Sequence, residues 1–136
     1  MKRNPLVLVV ACVLINKNCR ILFAQRPKSK SMAGLWELPG GKIKLHEKPE
    51  ETLIRELYEE LGLVIRTKWI TPFVFTSYAY DTFHLLMPLY VCRKFEGTPK
   101  PKEGQVLRWL SSDEFANYPM PAADLPLLPF LCKLLA

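Results

Sequence analysis

Residues 41–63 read GKIKLHEKPEETLIRELYEELGL, and the second half of this segment has the pattern of an amphipathic helix. Proline is favoured in the first turn of a helix and glycine just past its end, so we expect the helix to begin near Pro49 and to end at Gly62. At about 100° per residue, five apolar side chains fall on one face. They are Leu53, Ile54, Leu57, Tyr58 and Leu61. The sequence therefore predicts a helix that packs this face against a core.

The opposite face of the predicted helix is crowded with the carboxylates Glu56, Glu59 and Glu60. Like charges three and four residues apart repel each other along a helix, so the cluster costs stability unless a cation offsets it. Carboxylate oxygens suit hard divalent ions, and Mg²⁺ held jointly with substrate phosphates is a common solution. A solvated acidic face is the alternative interpretation, and for an arbitrary helix it has at least equal weight.

The residues around the helix favour the metal site. Upstream, Leu38-Pro39-Gly40-Gly41-Lys42 predicts a loop whose two glycines let backbone groups approach a ligand or metal closely. Glu47 precedes the helix, and Arg55 lies beside the acidic face, where it can pair with a glutamate and hold its rotamer.

Gly41, Glu47 and the run from Arg55 to Leu63 match every fixed position of the Nudix signature, so the chain resembles the Nudix hydrolase family. Such a match is far more specific than a lone glycine motif, which needs its structural context before it has meaning. The resemblance implies an α/β fold, an α/β/α sandwich with a mixed β-sheet between helices. It also implies substitution by water at phosphorus, in which metal ions neutralise phosphate charge and lower the pKa of the attacking water.

The resemblance also implies roles for individual residues. In this family, glutamates matching Glu56, Glu59 and Glu60 bind the divalent metal, often joined by a backbone carbonyl matching Gly40, and Arg55 is an orienting residue. We expect Mg²⁺ as the cofactor, with Mn²⁺ able to substitute for it.

The resemblance extends beyond the signature to four segments similar to the MutT-type branch, whose members hydrolyse oxidised guanine triphosphates to monophosphate and pyrophosphate. They are residues 25–27, 34–41, 102–105 and 118–124. On this resemblance, Glu103 approaches the metal as an extra ligand or general base. The residues that would line the substrate site are Arg26, Ser31, Glu37, Leu38, Pro39 and Gly40. Without the resemblance, Arg26 is better explained as a solvated loop charge and Glu103 as a turn residue.

Asp124 occupies the base-recognition position of this branch. 8-Oxoguanine carries a hydrogen on N7, where guanine has a lone pair, so a carboxylate acceptor would favour the oxidised base by roughly 1–3 kcal/mol. Well-known MutT-type members carry Asn there, and cytidine-preferring relatives can carry Asp. A donor to the base O6 then requires a protonated Asp124 or a backbone N–H. The alternative is that Asp124 only caps the last helix.

Strand-like runs surround the predicted helix. They cover residues 6–15, 21–24, 64–70, 73–80, 83–92 and 106–110. The polar triplet 16–18 predicts a β-hairpin between the first two runs. A short helix over residues 113–117 with Ser112 as N-cap is expected, and a last helix from near Leu125 towards Leu135, kinked at Pro129.

Three aromatic residues, Trp36, Tyr80 and Phe83, could stack on a purine. Aromatic side chains near strands are more often core residues, so both interpretations stand.

Length, composition and charge limit the architecture and the partners. A chain of 136 residues with 49% hydrophobic and 24% charged residues is typical of one globular domain, here residues 1–136. The net charge of +6 favours an anionic ligand, but the basic residues form no long run, so we expect no stable nucleic-acid complex. Cys12 and Cys92 lie in strand-like runs as small core residues, and the four cysteines lack metal-ligand spacing. A reduced, cytoplasmic compartment fits this usage, and we expect a monomer.

The first apolar run has a second interpretation. Lys2 and Arg3 followed by residues 6–15 resemble a secretion signal. The run is too short to span a membrane and also has the composition of a buried strand, so we favour the strand and expect no membrane partner.

The sequence as a whole predicts a Mg²⁺-dependent hydrolase of oxidised nucleoside triphosphates such as 8-oxo-dGTP, which keeps the DNA precursor pool clean. Two alternatives stay open. One is a Nudix pyrophosphatase for CTP, a dinucleoside polyphosphate or ADP-ribose. The other is a nucleotide-binding module without hydrolysis, and the complete set of signature glutamates counts against it.

Overall fold

The computed structural model describes residues 4–136, which build two β-sheets and two α-helices. The strands are β1 (Leu6–Leu14), β2 (Ile21–Gln25), β3 (Trp36–Glu37), β4 (Gly40–Lys42), β5 (Ile70–Ala79), β6 (His84–Cys92) and β7 (Val106–Leu110). The helices are α1 (Pro49–Leu61) and α2 (Leu128–Leu135). Short 3₁₀ turns cover Thr67–Trp69, Ser112–Asn117 and Leu125–Leu127.

The larger sheet is mixed and has the strand order β4-β1-β6-β5. β1 runs parallel to β6 and antiparallel to β4, and β5 is antiparallel to β6. The smaller sheet, β3-β2-β7, is antiparallel throughout. A parallel neighbour such as β6 needs a long crossover connection from β1, and that connection includes α1. The expected mixed sheet is confirmed, and the smaller sheet is an addition to it.

β1 contributes to two cores, because successive side chains of a strand point to opposite faces. Ala11 and Val13 belong to one core, and Val10, Cys12 and Leu14 belong to the other. α2 packs in the first core and α1 in the second. The predicted layered α/β fold, with helices on both sides of a mixed sheet, is therefore confirmed.

α1 has the predicted bounds. It begins at Pro49, and Gly62 follows its last turn with φ 70, a left-handed conformation that glycine adopts without strain. Leu53, Leu57 and Leu61 are fully buried. Tyr58 is 59% exposed, so its predicted place in the core is wrong.

The predicted hairpin between the first two strands is wrong beyond its turn. Only the bridge between Ile15 and Ile21 joins them, after which β1 and β2 enter different sheets. β7 pairs with every residue of β2 and β3 pairs with its last two residues, so β2 belongs to the smaller sheet and not to the sheet of β1.

The predicted strand over residues 64–70 is also wrong. Val64 forms a single bridge with Glu96, and a 3₁₀ turn follows at Thr67–Trp69. Leu63 and Ile65 are buried while Val64 is exposed, so the sequence has the alternating pattern of a strand. The buried side chains pack against α1, but the segment has no neighbouring strand with which it forms a hydrogen-bonded ladder.

Three smaller expectations need correction. The loop predicted at residues 38–42 contains the short strand β4, which pairs with β1. Ser111, and not Ser112, caps the 3₁₀ turn that follows β7, because Ser112 is already its first residue. Pro129 lies in the first turn of α2, where its missing N–H costs nothing, and the preceding 3₁₀ turn replaces the expected kink.

The apolar run over residues 6–15 contains β1, while Lys2 and Arg3 lie outside the described residues. Within residues 4–136, no helix is long and apolar enough to cross a membrane. Cys12 and Cys92 are free and buried, as expected of core thiols.

Candidate active site

Arg55 organises the acidic face of α1. Its guanidinium donates two hydrogen bonds to the Glu47 carboxylate, at 2.8 and 2.9 Å, and a third to Glu56 Oε1 at 2.7 Å. Arg55, and after it the Thr52 hydroxyl, hold the pKa of Glu47 well below its usual range. The planar fork of Arg55 thus holds Glu56 in one position on the helix surface.

The two glycines before α1 have different structural tasks. A Cβ atom on Gly41 would lie 2.5 Å from Glu56 Cδ, so only glycine lets the Glu56 carboxyl pack on β4. A Cβ atom on Gly40 would lie 2.0 Å from the Val10 carbonyl oxygen, so β4 and β1 could not approach as they do. At both positions, the absence of a side chain therefore lets another part of the protein, the Glu56 carboxyl or the β1 backbone, come close to β4.

Glu60 lines a pocket of about 250 Å³ between α1 and the smaller sheet. Predicted site residues that share this lining are Arg26, Glu37, Leu38, Pro39, Gly40 and Glu103. Burial first, and after it the neighbouring carboxyl groups of Glu56, Glu103 and Glu37, together raise the pKa of Glu60 to about 9. Carboxyl groups this close together repel when ionised, and a divalent cation would relieve that repulsion.

The carboxylates of Glu37, Glu60 and Glu103 in this pocket are oxygen donors that fit a hard divalent ion, and Arg26 and Lys30 in the same lining fit the phosphates of a substrate. Within residues 4–136, no three acidic, cysteine or histidine side chains are already arranged as a ligand set. Glu56 is engaged by Arg55, and Glu59 is 55% exposed and lies 3.7 Å from the same guanidinium. Glu56 and Glu59 would have to exchange contacts with Arg55 for contacts with a cation.

A second pocket of about 550 Å³ adjoins the first and is largely apolar. Five residues line both pockets: Arg26, Glu37, Leu38, Gly40 and Gly41. Ser31 and Asp124 line the second pocket alone, together with Val9, Tyr80 and Phe83. The structure thus brings all the predicted substrate-lining residues to one continuous cleft with an acidic end and an apolar end.

Arg26 lies at the junction of the two pockets. Its Nε donates to Glu37 Oε1 at 2.8 Å, and its Nη1 donates to the Ser31 backbone carbonyl at 3.3 Å. Both charged side chains are about one-third exposed. Arg26 is therefore part of the cleft, and the interpretation of a solvated loop charge is wrong.

Asp124 lies at the apolar end of the cleft and is only 7% exposed. Burial, and after it the charge of Glu37, raises the pKa of Asp124 to about 7, while Arg26 partly opposes the shift. The Asp124 side chain makes no capping hydrogen bond to the turn that follows it, so the capping alternative is wrong.

Two residues that the sequence did not single out for this task hold the Asp124 segment. The Thr76 hydroxyl donates to the Ala123 carbonyl at 3.0 Å, and the Ala123 N–H donates to the Tyr80 hydroxyl at 3.1 Å. A threonine within the mostly apolar β5 indicates a side chain that needs a hydrogen-bond partner. The sequence does not identify that partner, because Ala123 lies 47 residues away from Thr76.

The three aromatic candidates divide between core and cleft. Tyr80 lines the second pocket and stacks on Phe83, with ring centroids 4.9 Å apart. Trp36 is buried and packs edge-on against Tyr118, as a core residue does.

Residues 10–129 match the model of the NUDIX domain family. This chain is a Nudix protein. It is 36% identical to the CTP pyrophosphohydrolase of Escherichia coli over 88% of this chain and 87% of that one. It is 32% identical to the 8-oxo-dGTP diphosphatase of Escherichia coli, over 90% of this chain and 93% of that one.

Solved structures give the same assignment. A structure from work on MutT of Aliivibrio salmonicida and Vibrio cholerae superposes with a TM-score of 0.80 at 29% identity, covering 95% of this chain and 98% of that one. The ORF135 protein of Escherichia coli superposes with a TM-score of 0.82 at 33% identity, covering 98% and 93%. The chain is a Nudix hydrolase of MutT type, and the resemblance seen in the sequence is confirmed.

Proposed function

We propose that this Nudix hydrolase converts 8-oxo-dGTP to the monophosphate and pyrophosphate in a Mg²⁺-dependent reaction and so removes an oxidised precursor from the nucleotide pool. The observation that carries the proposal is the continuous cleft, with carboxylates at one end and the buried Asp124 at the other. A nucleoside triphosphate has the matching polarity, with a charged phosphate end and a planar, largely apolar base.

The acidic end would hold the metal through Glu56, Glu59 and Glu60, joined by the Gly40 carbonyl. A bound Mg²⁺, or Mn²⁺ in its place, neutralises phosphate charge and lowers the pKa of the attacking water. Glu103 is exposed to the pocket beside Glu60, and its carboxylate would accept a proton from that water or add a ligand. Arg55 would keep Glu56 oriented throughout.

The apolar end would read the base through Asp124. An acceptor oxygen there takes a hydrogen bond from N7–H of 8-oxoguanine, which guanine lacks. A carboxyl with a pKa of about 7 is substantially protonated near neutral pH, so its O–H can donate to the base O6. A protonated Asp124 would therefore supply both the acceptor for N7–H and the hydrogen-bond donor to O6.

CTP is the second candidate, and the same residue supports it. An ionised Asp124 can accept a hydrogen bond from the cytosine N4 amino group. The 36% identity with a CTP pyrophosphohydrolase adds to this alternative. Only the proposed pairing with 8-oxoguanine needs the proton on Asp124, so a rise in pH should weaken turnover of 8-oxo-dGTP more than turnover of CTP.

The proposal extends to the state of the protein. We propose that residues 1–136 form one domain, that it acts as a monomer, and that it works in the reducing cytoplasm. The family match over residues 10–129 supports the first point, and the free buried thiols of Cys12 and Cys92 support the last.

A substrate panel with purified protein and Mg²⁺ tests the function. We expect kcat/KM for 8-oxo-dGTP to exceed the values for dGTP, CTP, a dinucleoside polyphosphate and ADP-ribose, with pyrophosphate among the products. Equal or faster turnover of any of the last three would reject 8-oxo-dGTP as the substrate. Tight nucleotide binding without any hydrolysis would instead identify a binding module.

A further inference from the structure

The segment before β7 is docked on the C-terminal end of α1. The Lys100 N–H donates to the Leu61 carbonyl at 3.0 Å, and the Lys102 N–H donates to the Glu60 carbonyl at 3.1 Å. These carbonyls belong to the last turn of the helix, where no partner exists within the helix itself. The docked segment, residues 100–105, is thus attached to the same helical turn that carries Glu60.

Gln105 adds a side-chain bridge to this attachment. Its Nε2 donates to the Glu60 carbonyl at 3.1 Å, and its Oε1 accepts from the Glu103 N–H at 2.8 Å. An amide can donate at one end and accept at the other, which neither a carboxylate nor an ammonium group can do. One half-buried side chain therefore joins the backbones of Glu60 and Glu103, two acidic residues that line the same pocket.

The bridge matters because little else fixes Glu103. Its side chain is exposed, so packing does not hold it. Gly104 has φ 77, which lets the chain turn back so that the Glu103 N–H meets the Gln105 amide. No atom lies within 4 Å of a Cβ added to Gly104, so this glycine serves the turn and not a close approach.

We propose that Gln105 is a positioning residue for hydrolysis, which sets Glu103 at the pocket edge in fixed relation to Glu60. The inference rests on the proposed function, because it assigns Glu103 and Glu60 to one reaction. Gln105 itself acts through the two backbones and needs no contact with substrate.

Two variants test the bridge. Gln105→Met keeps the length of the side chain and removes both hydrogen bonds, while Gln105→Glu keeps the acceptor and loses the donor. We expect Gln105→Met to lower kcat by roughly tenfold or more with a much smaller change in KM, as is usual for residues that orient active-site groups. In the metal-free protein, we expect the Glu103 amide to exchange its hydrogen faster in Gln105→Met, with Gln105→Glu in between.

Lys102→Met is the matched control in the docked segment. Its side chain lies over the Tyr58 ring and against Gly62, and the substitution leaves the backbone bond to Glu60 intact. We expect near wild-type kcat and unchanged exchange at Glu103 in this variant.

The outcomes separate the bridge from the proposed function. A kcat of Gln105→Met within about threefold of wild type, or unchanged exchange at the Glu103 amide, would overturn the positioning role. A lower melting temperature with unchanged kcat would show that the bridge is merely structural and would overturn it equally. If the wild-type protein hydrolyses no nucleotide, the proposed function itself fails, while the exchange experiment still decides whether Gln105 fixes Glu103.

Discussion

Replacing Asp124 with asparagine should stabilise the protein progressively as the pH rises. Burial and the charge of Glu37 raise the pKa of the carboxyl from 3.8 to about 7 in the folded chain. The folded state therefore binds more protons than the unfolded state between about pH 4 and pH 7, and the free energy of unfolding falls across that window. About three pKa units at 1.36 kcal/mol each set a ceiling of about 4 kcal/mol for the loss. Asparagine has no proton to lose and avoids it.

Urea unfolding with a chelator present, at pH values from about 4.5 to 8.5, measures this effect. The difference in unfolding free energy between Asp124→Asn and wild type should move by about 2–4 kcal/mol in favour of the variant over that range. Asp113→Asn is the control, because the Ser111 hydroxyl lowers the pKa of the exposed Asp113; this carboxyl is ionised in the folded and unfolded states throughout the range, so the difference should stay constant with pH. A difference for Asp124→Asn that stays constant with pH would refute the reasoning.

Three further predictions concern the acidic end of the cleft. Glu60→Gln should lower turnover by orders of magnitude with an unchanged circular dichroism spectrum, and undiminished hydrolysis would remove Glu60 from the metal site. Gly40→Ala should lower the free energy of unfolding by about 3 kcal/mol in chemical denaturation, because the added Cβ would meet the Val10 backbone oxygen at 2.0 Å. A decrease below about 1 kcal/mol would contradict that steric conflict. Arg55→Lys should lower kcat about tenfold or more, because one ammonium group cannot hold Glu47 and Glu56 as a guanidinium does; steady-state kinetics with full activity would exclude the orienting role.

The sequence could predict those parts of the fold that depend on local pattern. The bounds of α1 follow from Pro49 and Gly62, which act within a few residues of themselves. The burial of Leu53 and Leu57 follows from helical periodicity alone. Periodicity also predicted that Tyr58 lies in the core, and this prediction is wrong. Tyr58 lies at the border of the apolar face, where burial depends on which other segments pack against the helix.

The failures all concern contacts between distant segments. β2 pairs with β3 and β7 instead of forming a hairpin with β1, and no feature of residues 16–18 indicates those partners. The contact for which Gly41 makes room is likewise distant, because an added Cβ would meet Glu56, 15 residues further along the chain. Local sequence shows that a glycine is needed without showing what it must accommodate.

The site shows the same division. The residue spacing alone predicted the acidic face of α1. The assignment of Arg26 and Asp124 to one site came from the family resemblance, and only the folded structure shows that both line the same cleft. Gln105 lay inside a segment used for that resemblance, yet its contact with Glu60 spans 45 residues of sequence. Composition and periodicity carry no information on such a bond.

The two pockets have five lining residues in common, but their other lining residues come from different parts of the chain. α1 and the segment before β7 supply Glu60 and Glu103, whereas β1, β6, the turn between β5 and β6, and the turn before α2 supply the apolar lining and Asp124. Substitutions around the base can therefore change which nucleotide is accepted without disturbing the groups that act on phosphorus. A scaffold divided in this way can acquire a new substrate by a few changes at one end of the cleft while the other end stays the same.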